Sequence, residues 1–382
     1  MSILFESIKI KNMTLQNRFV RSATGDGSAD QAGQVTEKQI KMFADLADGG
    51  IGLIVTGLSY VHPSGQISPT QTSIADDDSI PGLKRLTGTV HDRGTKIAVQ
   101  LSHSGRDCAR FFKDRDMVAK GPSVVENDPY FTGEYRAFTE DEIWEVIAAF
   151  GDAAKRAREA DFDAVQLHGA HAYLPSQFLS PFTNRRDDDW GGSLENRIRL
   201  HREIYKDIRA KVGEDYPVLI KLGVQDGFSG GLGLDEGARA AQLLAQGGYD
   251  ALEISQGLRG KSYEETEFRK KIKTVEHEGY FRDWCREIKN RVNVPVMVVG
   301  GLKTFEFMEE ILQNREADFV SLCRAFIRQP DLVNSWKSGS RERATCVSCN
   351  KCLEALKDGE NVRCIQEEKK RKRSKKERKY KR

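Results

Sequence analysis

No stretch of this sequence approaches the ~20 consecutive apolar residues that a membrane-spanning helix needs. The N-terminus, Met1-Ser-Ile-Leu-Phe-Glu6, lacks a basic segment followed by an apolar core. No signal peptide is therefore read there, and a cytoplasmic location is the expectation. No Gly-x-Gly-x-x-Gly follows the first apolar run, which argues against an open dinucleotide-binding sheet. Internal repeats of roughly 20 to 50 residues are also absent, which excludes solenoids and propellers. No basic groove interleaved with aromatics supports a specific nucleic-acid function. What is present is an ordinary apolar fraction, 38% of 382 residues, enough for one large core or two smaller ones.

The formal charge of +3 hides an asymmetry. From Lys369 to Arg382 there are eleven Lys or Arg and one acid, Glu377, so this segment carries +10 and the remaining 368 residues carry −7. Residues 367–382 have almost no apolar content and are expected to be a disordered basic tail, solvated and without a specific partner. Contact with nucleic acid or anionic lipid is the alternative for such a tail.

Eight short apolar runs rich in β-branched residues precede it: Arg18–Thr24, Gly52–Gly57, Lys96–Leu101, Asp163–His168, Pro217–Gly223, Asp250–Ser255, Pro295–Gly300 and Asp318–Leu322. Most are near-continuous, as in strands buried on both faces of a parallel sheet. Helical segments fall between them. In the clearest, Thr139 to Ala160, Thr139 and Glu142 form a capping box, and Ile143, Val146, Ile147 and Phe150 recur at helical spacing. Other helices are expected near Val35–Ala47, Ser79–Arg93, Leu194–Val212, Asp235–Gln246, Phe281–Arg291, Thr304–Gln313 and Asp331–Ser338. Alternating strands and helices predict an α/β fold, a (β/α)8 TIM barrel over residues 1–340. Two long loops, Ser102–Phe138 and Gly169–Ser193, would sit at its C-terminal mouth, where barrel enzymes keep their chemistry.

The fourth strand ends in His168-Gly-Ala-His171-Ala-Tyr173. The two histidines read as structural hydrogen-bonders, as a metal pair, or as two donors aimed at one developing oxyanion. Tyr173 tilts this toward the third reading, because a phenol can protonate a carbanion. Gln100 ends the third strand, and a buried amide there needs a partner, either neighbouring backbone or a uracil-like ligand edge. Lys221 stands in the apolar run Val218-Leu-Ile-Lys-Leu222. An unpaired buried ammonium is costly, so it meets an anion at the mouth or a structural ion-pair partner. Gly300 and Gly301 close the seventh strand and Arg324 follows the eighth, a position where barrels often bind phosphate.

Taken together, His-x-x-His, Gln177-Phe-Leu-Ser-Pro181, Asn184-Arg-Arg186 and Gly191-Gly-Ser-Leu-Glu-Asn-Arg197 resemble the old yellow enzyme family of FMN-dependent oxidoreductases. The resemblance runs from about Leu4 to Pro330. It is nearest the branch holding bacterial NADH:flavin oxidoreductases and the FMN half of 2,4-dienoyl-CoA reductase. The resemblance implies FMN and NAD(P)H as cofactors. Ser22, Ala23 and Thr24, then Thr56 and Gly57, would line the flavin. Gln100 would pair with its pyrimidine edge, and Lys221 would stand near N1 and O2. Gly300, Gly301 and Arg324 would hold the phosphate. His168 and His171 would grip a substrate carbonyl oxygen, with Tyr173 as the proton donor. The implied reaction is hydride transfer by way of flavin N5 to the β-carbon of an α,β-unsaturated carbonyl or enoyl thioester. Gly25, where relatives often carry Cys or Thr, and Cys323, before the phosphate Arg, depart from the family pattern.

Residues 341–366 are expected to form a separate extension carrying Cys346-x2-Cys349-x2-Cys352-x11-Cys364. In a cytosolic protein this spacing points to metal before disulfides. Related long reductases hold [4Fe-4S] with a similar set, one residue longer in the middle gap. A [4Fe-4S] cluster, zinc and an empty motif all remain open. With a cluster, the chain would be a flavin/Fe–S electron-transfer subunit relying on a redox partner protein. Homo-oligomerisation is left open.

Overall fold

The computed structural model describes residues 2–110, 117–357 and 360–380. Eight parallel strands close into a barrel: Phe19–Arg21, Leu53–Tyr60, Lys96–Ser102, Ala164–Gly169, Val218–Gly223, Ala251–Ser255, Val296–Val299 and Phe319–Leu322. The expected (β/α)8 architecture is the one found. Main helices follow in turn: Glu37–Asp48, Ile80–His91, Glu140–Glu159, Arg199–Val212, Leu234–Gln246, Arg282–Lys289, Phe305–Gln313 and Leu332–Lys337. The Thr139–Glu142 capping box is formed. The single helix expected over Leu194–Val212 divides at Ile198 into Leu194–Arg197 and Arg199–Val212.

The strands are apolar on both faces because both faces are buried, but the two faces do different work. Outward residues such as Val99, Val165, Leu167, Ile220 and Ile254 pack under the helices in the large outer core. Inward residues Ala98, Ala164, Leu219, Ala251, Met297 and Phe319 form a second, smaller core inside the barrel. A hairpin, Ile8–Ile10 paired antiparallel with Met13–Leu15, adds Ile10, Met13 and Leu15 to this inner core. The composition gave no hint of this hairpin, whose strands are three residues each.

Two residues further along the strands the inward positions turn polar. Gln100, Gln166, Lys221 and Glu253 lie there, with Gln100 registered against Gln166 and Glu253 against Lys221. Period-two alternation carries the chain from a packed floor to a polar layer.

The segment after the last barrel helix folds back over the mouth. Ala344 N donates to Lys303 O (3.0 Å), and Val362 N donates to Asp26 O (2.8 Å). Gly27 has φ +59°, and a Cβ there would stand 2.7 Å from Leu356 Cδ2, so a larger residue would be strained at this docking point. The basic tail differs from its expectation of disorder: Ile365–Tyr380 is one helix, so the boundary placed at residue 367 falls inside it. Lys, Arg and Glu have high intrinsic helix propensity. Arg328–Glu367 (3.4 Å) and Arg363–Glu368 (3.0 Å) ion pairs also anchor its first turns.

Candidate active site

The mouth of the barrel holds a cavity of about 830 Å³. Ser22, Ala23 and Thr24 line it from the first strand, Gly57 from the second and Gln100 from the third. His168, His171 and Tyr173 line it from the fourth, Lys221 from the fifth, and Gly301 and Arg324 from the last two. Two of the residues singled out in the sequence, Thr56 and Gly300, lie behind this lining. The pairing of the second strand with the third slips between Val55 and Leu58, a bulge that turns Thr56 out of the wall. Thr56 Oγ1 accepts from Gln100 N (3.2 Å) instead. Gly300 and Gly301 have φ of +134° and +73°, and a Cβ on either would stand about 3 Å from the Tyr280 ring, so the pair makes room for that ring.

The polar layer forms one connected chain beneath the cavity. Gln100 Nε2 donates to Gln166 Oε1 (2.8 Å), and Gln166 Nε2 donates to Glu253 Oε2 (3.0 Å). Glu253 Oε1 pairs with Lys221 Nζ at 3.1 Å, and Lys221 Nζ donates to Ser22 Oγ at 2.8 Å. Lys221 therefore satisfies both readings: it has a buried carboxylate partner and still faces the cavity. Gln100 takes neither of its expected partners alone, since its amide meets another amide while lining the wall. Sequence reasoning missed Gln166 and Glu253. A signal existed for the first: Ala98-Val-Gln-Leu101 and Ala164-Val-Gln-Leu167 are the same four residues, paired in register on adjacent strands.

The fourth strand delivers the two imidazoles by unusual backbone. His171 and Ala172 both take positive φ, 60° and 64°. Such residues cost on the order of 1–3 kcal/mol each and persist only when the surroundings hold them. Here His171 N donates to Gln256 O and Ala172 N to Gly257 O, at 3.0 and 3.1 Å. The His168 and His171 rings stand edge to face, centroids 5.1 Å apart, and the Tyr173 ring lies 4.3 Å from that of His168. His171 Nε2 meets Ser255 Oγ at 2.8 Å. His168 Nδ1 is buried and has no hydrogen-bond partner among the described residues.

Burial holds both imidazoles well below the ordinary histidine range, reinforced by the charges of Lys221 and Arg259. They are neutral at physiological pH, each with one N–H to donate. Burial also pushes the Tyr173 phenol up to about 12, so it keeps its proton, although the Arg259 guanidinium beside it pulls the other way. Arg259 in turn is held by Glu267 (2.7 Å) and Asp107 (3.4 Å). No sequence feature had pointed to these three. Among the described residues no three His, Cys, Asp or Glu side chains form a set that could hold a metal ion, so the metal-pair reading of the histidines gains no third ligand.

Cys346, Cys349, Cys352 and Cys364 come together around one small cavity, and Cys346 and Cys352 also border the large one. Among the described residues these thiols form no set of three or more that could hold a metal ion. Cys323, at the other departure from the family pattern, lies 2.9 Å from Thr24 Oγ1.

Fold and site together define a (β/α)8 barrel with a cofactor-sized cavity at its C-terminal mouth. Residues 3–343 match the NADH:flavin oxidoreductase / NADH oxidase family, and the chain belongs to it. It is 36% identical over 357 residues to the NADH oxidase of Thermoanaerobacter brockii, an alignment covering 91% of this chain and 52% of that protein. The chain thus spans about half the length of that relative. It is 34% identical to an NADPH dehydrogenase of Clostridium acetobutylicum, over 87% of this chain and 94% of that one. Among solved structures, 2-naphthoyl-CoA reductase in complex with 2-naphthoyl-CoA superposes with a TM-score of 0.87 at 27% identity, over 95% of this chain and 56% of that chain. The old yellow enzyme homologue of Zymomonas mobilis shares the fold, with a TM-score of 0.73 at 24% identity, over 90% and 95%.

Proposed function

We propose that this chain is an NAD(P)H-dependent FMN oxidoreductase that reduces the C=C bond of an α,β-unsaturated carbonyl or enoyl thioester. The cavity suits FMN: Lys221 offers a cation in its wall, and Arg324 offers one without a carboxylate partner among the described residues. Ser22, Ala23, Thr24, Gly57 and Gln100 would border the ring, and Gly301 and Arg324 the phosphate. The chemistry FMN supplies when bound is hydride transfer from NAD(P)H to the substrate's β-carbon.

The chain's own part is to bind, polarise and protonate. Two neutral imidazoles donate hydrogen bonds to the carbonyl oxygen as negative charge builds there, and neither carries a charge whose burial must be offset. Tyr173 holds a proton at its hydroxyl for the α-carbon. Similarity to a CoA-thioester reductase supports the enoyl-thioester class. The observation that carries this reading is the placement of His168, His171 and Tyr173 together in the cavity wall.

One substitution tests it. His168→Ala is expected to lower kcat with cyclohexenone about a hundredfold while FMN content stays unchanged. Equal turnover in the two proteins would end the assignment of His168, and failure of the unaltered chain to bind FMN would end the whole reading.

A second reading rests on the four thiols around one cavity bordering the first. It makes the chain a flavin/Fe–S electron-transfer subunit served by a redox partner protein. Iron and acid-labile sulfide assayed on anaerobically purified protein, near four of each per chain, would favour it; neither would remove it.

A further inference from the structure

Asn350 sits between two of the cysteines, is 2% exposed, and takes positive φ (60°). Both ends of its side chain are hydrogen-bonded. Asn350 Oδ1 accepts from Arg324 Nη1 at 2.6 Å, and its Nδ2 donates to Phe268 O at 2.6 Å. Arg324 Nη1 also donates to Arg269 O at 2.7 Å. The two neighbours that orient the guanidinium are therefore a neutral amide and a backbone carbonyl. Nε and Nη2 make no hydrogen bond among the described residues, no carboxylate pairs with Arg324 there, and its side chain borders the large cavity. A guanidinium aimed at a cavity and left with its charge uncompensated is built to receive an anion.

The loop that carries Asn350 is itself tied to the barrel mouth. Lys271 N donates to Ser348 O (3.4 Å) and Lys303 Nζ to Cys346 O (3.3 Å), so the loops after the sixth and seventh strands both hold it. Asn350 thereby joins the loop after the sixth strand to the arginine after the eighth.

We propose that Asn350 is a positioning residue for flavin phosphate recognition: it aims Arg324 at the phosphate without neutralising it. The inference rests on the FMN reading above. It makes the cysteine-bearing extension part of the cofactor site, whatever the thiols themselves hold. An aspartate in its place would keep the acceptor for Arg324 but lose the bond to Phe268 O and cancel the charge the phosphate needs.

The test is flavin binding by apo-protein, titrated with FMN and with riboflavin and followed by quenching of flavin fluorescence. Riboflavin has the same ring system but no phosphate. Asn350→Ala is expected to weaken FMN about tenfold, the scale of one hydrogen bond to a charged group, and to leave riboflavin affinity within twofold. Asn350→Asp should weaken FMN further than Asn350→Ala does. On an Arg324→Ala background, Asn350→Ala should cost no further FMN affinity, because its effect passes through that side chain. Equal losses for FMN and riboflavin, or unchanged FMN affinity in both Asn350 variants, would overturn the assignment. Absence of FMN binding by the unaltered chain would overturn the FMN reading along with it. Should Asn350→Ala not fold, the order of Asn350→Asp and the unaltered chain toward FMN and riboflavin decides the matter alone.

Discussion

The two ends of the barrel interior are built from the same strands yet obey opposite rules. At one end Ala98, Ala164, Leu219, Ala251, Met297 and Phe319 pack together with the hairpin residues Ile10, Met13 and Leu15. Two residues on, Gln100, Gln166, Lys221 and Glu253 replace them with hydrogen bonds and an ion pair. The first end is close-packed and apolar; its worth is stability. The second is polar, held by hydrogen bonds and an ion pair, and opens on the cavity. Barrel enzymes divide labour this way because loops at the C-terminal face vary freely over a floor that does not.

The largest effect should come from the polar end. Glu253→Ala leaves Lys221 buried beside neutral groups and is expected to destabilise the fold by roughly 3–5 kcal/mol. Chemical denaturation of the two proteins measures it, and a loss under about 1 kcal/mol would show that water or relaxation replaces the carboxylate. Next comes Leu219→Ala on the floor, at about 3 kcal/mol, with the FMN and substrate affinities of the surviving folded protein unchanged. If turnover falls with stability held constant, the two ends are coupled and the division fails.

An effect of similar size separates the ends by pH. Asp226, at the mouth, accepts from Ser180 Oγ, Leu232 N and Leu258 N at 2.6–2.7 Å. Burial nevertheless raises its carboxyl to about 6, with those bonds opposing. A folded-state value above the unfolded one means that its contribution is complete below about pH 3.8 and is lost as pH rises through about 6. The unaltered protein should therefore gain stability, relative to Asp226→Asn, as pH falls from 7 to 4. The gain should be on the order of 3 kcal/mol. Parallel melting temperatures of the two proteins across that range would remove Asp226 as a pH-sensitive group. The inner core offers no such slope, since its residues carry no titratable group.

Much of this was legible in the chain. Local burial pattern and turn residues place all eight barrel strands within a few residues of their true ends, and the Thr139–Glu142 box marks its helix start. His168, His171 and Tyr173 stood out because polar residues crowd the end of an apolar strand. The tail was misjudged because composition weighs the lack of burial, whereas Lys, Arg and Glu favour helix even without it. Glu253 escaped notice because Ala251-Leu-Glu-Ile-Ser255 shows an ordinary polar residue in a short strand, with no local sign that it faces Lys221.

The sequence by itself determined where strands and helices form, which strand ends carry donors, and which family the motifs resemble. These depend on spacing over a few residues. Only the tertiary structure decided that Gln100, Gln166, Glu253, Lys221 and Ser22 make one chain, that Thr56 and Gly300 stand behind the wall, and that Asn350 holds Arg324. Those pairings join distant parts of the chain, and barrel closure and strand register, not local propensity, bring them within hydrogen-bonding reach.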